Sequence, residues 1–135
     1  MQQAYDGAMK YAVLAIGLLA ACQTDETVSG FVADTGEFTL QSIDGTPFAA
    51  RATLNVAEKG KISGQAPCNR YFGAQTAPYP WFAADGIAST KMGCADLTAE
   101  DVFLRALSDM TIVEVSGPTL ILSNDAGREM VFQAP

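Results

Sequence analysis

Two cysteines, Cys68 and Cys94, bracket a segment dense in glycine, aromatics and proline, and no other feature constrains the fold of this chain as strongly. Gly60-Lys-Ile-Ser-Gly64 leads into Cys68-Asn69-Arg70-Tyr71-Phe72-Gly73, and Ser89-Thr90-Lys91-Met92-Gly93-Cys94 answers them downstream. The intervening residues read as strand, loop and strand. If both cysteines face an oxidising compartment, a disulfide between them is the simplest outcome, closing a loop worth about 3 kcal/mol through the entropy it removes from the unfolded chain. Free thiols, or a nucleophilic Cys68, are the alternatives. A cysteine nucleophile wants a base or a cation close by, and with no histidine in the chain only Arg70 and Lys91 are near in sequence.

The N-terminus argues for that compartment. Residues 11–21 form an uncharged, apolar run, too short to span a bilayer but the right length for the apolar core of a signal peptide. It ends in Leu19-Ala20-Ala21-Cys22, which resembles the bacterial lipobox, so Cys22 is the expected lipidation site and mature N-terminus. Asp6 ahead of the run is the wrong charge for such a signal, whereas Met9-Lys10 suits it, so Met9 is the expected start. Gln23 after the cysteine resembles the pattern of sorted lipoproteins, and that resemblance implies delivery to the outer membrane, facing the periplasm. The expected organisation is a signal peptide over 1–21, a polar tether over 22–29 and one domain over 30–135.

Without residues 1–21 the chain still carries a net charge of −7, which argues against nucleic acid and against an electrostatic grip on anionic lipid. The absence of histidine removes every imidazole-dependent base or metal site. No cysteine or carboxylate spacing fits zinc or calcium, and no cofactor motif is present. Ser89 and Lys91 lie two apart and would share one face of a strand. A hydrolytic pair is conceivable there, but a surface lysine beside a strand serine is the plainer reading. Glu100 and Asp101 suit the first turn of a helix, where acids complement the macrodipole.

Period-two runs at intervals of about ten residues predict strands over 37–43, 51–57, 61–65, 70–76 and 86–90, with a short segment at 81–83. Ala99, Phe103, Ala106, Leu107 and Met110 recur with helical spacing, so a helix over about 98–109, capped by Thr98, packs on the sheet. Strands over 111–116, 119–123 and 128–133 complete the chain. The expected fold is therefore α+β, mostly antiparallel, a small sheet curled into a β-barrel-like shape with one helix packed on it. Tyr71, Phe72, Tyr79, Trp81 and Phe82 either fill that interior or line a surface. Tyr79, Trp81 and Phe82, around Pro80, form the possible partner surface.

Gly64, Cys68-Asn69 with Tyr71 and Gly73, Ser89-Thr90-Lys91-Met92 with Cys94, and Glu100 with Phe103, Leu104 and Leu107 resemble the META domain of HslJ-type proteins over roughly residues 35–133. One departure is Phe38, where the family commonly has tryptophan. The resemblance implies a small β-barrel-like domain common in bacterial envelope lipoproteins, linked to stress response and without an accepted enzymatic activity. The expected function is a lipid-anchored envelope protein with a non-enzymatic binding or structural role, whose partner is a protein or small apolar molecule. The alternative is an envelope hydrolase or thiol enzyme using Ser89 or Cys68.

Overall fold

The computed structural model describes residues 24–33 and 35–135; the expected signal segment over 1–21 and the expected lipidation site Cys22 lie outside the described residues. Among the described residues a single-turn 3-10 helix, Val28–Phe31, precedes nine strands and one α-helix. The strands are β1 (Glu37–Ile43), β2 (Thr46–Pro47), β3 (Thr53–Asn55), β4 (Gly60–Gln65), β5 (Arg70–Gln75), β6 (Asp85–Ser89), β7 (Ile112–Ser116), β8 (Thr119–Ser123) and β9 (Glu129–Gln133), with α1 (Leu97–Asp109) between β6 and β7. All pairings are antiparallel, in the order β6-β5-β4-β3-β1-β9-β8-β7, and β2 folds back on β1.

The alternation in the sequence places the core. Phe38 and Leu40 of β1, Leu54 of β3, Ile62 of β4, Tyr71 of β5, Leu120 and Leu122 of β8, and Met130 and Phe132 of β9 are all buried. The helix meets them with the predicted stripe, Phe103, Ala106 and Leu107, followed by Met110 just past its end. Phe103 packs edge-on against Tyr71, with ring centroids 5.5 Å apart, and tilts against Phe48 at 6.4 Å. Burying side chains of this size contributes about 1.5–3 kcal/mol each, which is why a short amphipathic helix is held here at all.

Local chemistry sets the turns. Asp44 and Gly45 both have positive φ, 51° and 78°, so the Asp-Gly pair makes a two-residue hairpin, and the chain returns as β2 where only a turn was expected. β3 is shorter than the predicted 51–57 because it pairs with β4 only at Asn55↔Ser63. There Gly64 passes so close to the carbonyl of Thr53 that a Cβ on it would lie 2.2 Å from that oxygen. The helix begins at Leu97 behind Asp96, so Thr98 lies inside the first turn and does not cap.

Two further expectations need correction. The sheet is curled but is not a closed barrel: β6 and β7 end the strand order and do not pair with each other. The outer edge of β7 is instead taken by the chain at 80–82. The Val113 N–H donates to the Pro80 carbonyl (2.8 Å), the Phe82 N–H donates to the Thr111 carbonyl (2.9 Å), and Trp81 bridges to Ile112. Pro80 has no N–H to add to this ladder, and the contact is an isolated bridge rather than a strand. The segment expected as a tether is packed from Glu26 onward, with Thr27 and Val28 buried.

Candidate functional site

The paired motif segments meet at one carboxylate. The Oε1 of Glu100, in the first turn of α1, accepts the backbone N–H groups of Cys68 (3.1 Å) and Asn69 (2.7 Å), and its Oε2 accepts the Asn69 Nδ2 (2.8 Å). Asn69 is itself buried and turns its other amide atoms to the second segment. Its Oδ1 accepts the Thr90 hydroxyl (2.9 Å) and the Met92 N–H (2.7 Å), while Nδ2 also donates to the Met92 carbonyl (3.1 Å). Thr90 adds a backbone bond from its N–H to the Arg70 carbonyl (3.0 Å).

Glu100 is 5% exposed. Burial pushes its carboxyl up, but the hydrogen bonds from the Asn69 side chain and from the N–H groups of Asn69 and Cys68, helped by the charge of Lys91, outweigh that and hold it below its ordinary value of 4.5. Its role thus goes beyond helix-dipole chemistry. Sequence reasoning assigned only that part, because nothing local reveals a partner 31 residues away.

Cys68 and Cys94 are joined in a disulfide with Cα atoms 5.9 Å apart, beside the Asn69 network. Both thiols are therefore used in the cross-link. Tyr71 points inward, its hydroxyl donating to the Thr53 carbonyl (2.6 Å), and burial pushes its phenol far up. Gly73 lies under β6, where a Cβ would be 2.7 Å from the Ile87 Cδ1 and 2.9 Å from the Asp85 carbonyl. Ser89 and Lys91 do meet, at 3.2 Å, with the ammonium donating to the hydroxyl. A general base would have to accept from that hydroxyl instead.

The aromatics divide by position. Phe82 is buried and belongs to the core, which removes it from the expected partner surface. Tyr79 is half-buried, stacks on Phe31 with centroids 4.1 Å apart, and accepts the Val115 N–H at its hydroxyl (3.1 Å). Trp81 is 57% exposed, as expected, and Phe31 is 51% exposed. Phe72 is equally open at 57%, because the alternation that turns Tyr71 inward turns its neighbour outward. Around Phe72, the outer face of β4, β5 and β6 carries a groove of about 1080 Å³, lined among others by Lys61, Ser63, Gly73, Ala74 and Asp85. The groove was not anticipated from the sequence, although the Tyr71-Phe72 alternation signals one outward aromatic. Among the described residues no cluster of His, Cys, Asp and Glu could hold a metal ion, and no helix is long and apolar enough to cross a membrane.

Comparison with known proteins agrees with this architecture. A protein from Burkholderia xenovorans, solved by NMR, aligns with a TM-score of 0.62 at 24% identity, covering 80% of this chain and 86% of its own. A DUF4847 family protein from Bacteroides vulgatus ATCC 8482 aligns with a TM-score of 0.60 at 12% identity, covering 78% and 96%. At those identities the likeness concerns the fold alone. No curated protein matches this chain significantly. The model of the META domain matches residues 32–135, the whole of the packed sheet and its helix, and this chain belongs to the META domain family.

Proposed function

We propose that this protein is a non-enzymatic module of the bacterial cell envelope, anchored by lipid at Cys22, on the periplasmic face of the outer membrane, that holds a protein or small apolar partner in the groove around Phe72. One observation carries this reading. The polar groups of the paired motif are spent on one another: Asn69 and Glu100 join the two segments, and the cysteines are cross-linked beside them. A set of groups so occupied builds a scaffold. What the scaffold leaves open is an aromatic ring in a concave, glycine-floored surface, which suits binding. The lipobox-like run ending at Cys22 supports the anchor, and the disulfide suits an oxidising compartment.

Two measurements test this. A photo-crosslinking residue in place of Phe72, activated in intact cells, should return a discrete adduct, and Cys22→Ser should release the protein from the membrane fraction. Retention of the Cys22→Ser protein in that fraction would overturn the anchor. Turnover of a substrate that Ser89→Ala abolishes at unchanged fold would overturn the non-enzymatic reading.

A further inference from the structure

We infer that the corner formed by Phe31, Tyr79 and Trp81 is a membrane-facing surface, seated at the headgroup level of the bilayer that holds the lipid anchor. The inference rests on the proposed acylation of Cys22 and adds to it a defined orientation of the domain. It follows from how little free chain lies between the anchor and the folded body. The Glu26 carbonyl accepts the Tyr79 N–H at 2.7 Å, so the packed structure begins four residues after Cys22. Four residues reach about 14 Å when fully extended.

That corner is held firmly. The Asp25 carboxylate accepts the Thr27 N–H (3.0 Å), the Thr27 hydroxyl (2.7 Å) and the Ser29 hydroxyl, and Gly30 passes so close that a Cβ would lie 2.2 Å from the Asp25 carbonyl. Thr27 and Val28 are buried. The chain therefore leaves the domain at a fixed place, beside the stacked rings of Phe31 and Tyr79, and Trp81 stands two residues beyond in the same turn. A domain tied within about 14 Å of the lipid cannot turn this corner far from the bilayer.

The residues there have the right chemistry. Phe31 and Trp81 are each more than half exposed, an expensive arrangement in water for two large rings. Aromatic rings with one polar edge favour the interface between headgroups and acyl chains. The charged groups of the segment that enters the corner are Asp25, whose carboxylate is occupied by Thr27 and Ser29 and lies within reach of the Lys59 charge, and the exposed Glu26, so the corner offers anionic lipid no cationic cluster and its contact with the bilayer is made by the rings. The groove around Phe72 is lined by none of Phe31, Tyr79 and Trp81, so the two roles do not compete for the same residues.

Trp81 is the single tryptophan of the chain, so its fluorescence reports this corner alone. The protein with its native Cys22, its acyl chains checked by mass spectrometry, is placed in phosphatidylethanolamine and phosphatidylcholine vesicles with chains brominated near the headgroups. Trp81 emission should move to the blue of that from the Cys22→Ser protein in water and lose roughly half its intensity to the bromines, as an interfacial indole does. Phe31→Ser, a change at a half-exposed ring, should weaken the quenching several-fold while the circular dichroism stays the same. Water-like emission, untouched by brominated lipid in the acylated protein, would overturn the inference and leave the anchor standing. Shielding of Trp81 in native membranes but not in pure lipid would overturn it in favour of a protein partner. An unacylated Cys22 would overturn the anchoring reading itself.

Discussion

Glu100 shows how one side chain can join segments that sequence separates. Its carboxylate takes three donors from the Cys68-Asn69 turn, and Asn69 passes the connection to Thr90 and Met92. Glu100→Gln keeps one acceptor oxygen but sets an amide N–H₂ against a donor, which should cost about 1–3 kcal/mol at neutral pH. The pH dependence has a definite sign. The carboxyl titrates lower in the folded protein than its ordinary 4.5, so its stabilisation is complete above 4.5 and disappears as pH falls through the lower, folded value. Urea unfolding of both proteins should therefore give well-separated midpoints at neutral pH that converge as the pH is taken progressively below 4.5. A separation that stays constant across that range would exclude the ionised carboxylate as the cause. The acid at position 100 was legible in the sequence as a helix-start residue, and the stripe Phe103, Ala106, Leu107 as its buried face. Its role as the hub was not, because a hydrogen bond across 31 positions depends on two turns arriving at one point.

At the scale of elements, two devices hold the open end of the sheet. One is the disulfide, which fixes the entry of β5 to the loop between β6 and α1. The Asn69 network holds the same two segments without it, so Cys68→Ser combined with Cys94→Ser should leave the near-ultraviolet circular dichroism native. What is lost is the restraint on the unfolded chain over a separation of 26 residues. That restraint is worth about 3 kcal/mol, or a melting temperature lower by about 15 °C in a domain of this size. A double variant that melts with the native protein would show that the cross-link contributes nothing. The other device is the chain at 80–82 on the edge of β7, which protects that strand from pairing with another molecule. The sequence identifies Pro78-Tyr79-Pro80 as an interruption; that the interruption lands on β7 follows only from the curl of the sheet.

Across the whole molecule, the strands from the two ends of the domain, β1 and β9, lie side by side in the middle of the sheet. Leu40, Leu120, Leu122, Met130 and Phe132 are buried there, whereas residues 91–98 are exposed throughout. Hydrogen exchange should accordingly be slowest in β1, β8 and β9 and fastest in β6 and the segment leading to α1. Equal protection of β6 and β9 would contradict a sheet with a free edge at β6. By itself the sequence determined the class of fold, most strand positions and the apolar face of the helix, since alternation and turn residues are local properties, and it left a Cys68–Cys94 disulfide as the simplest of several outcomes. Tertiary structure alone decided that the sheet stays open, that Phe82 turns inward, and that Glu100 is a buried hub. Each of those depends on which distant segments meet, and the free energy that selects the meeting is shared among contacts that no single stretch of sequence contains.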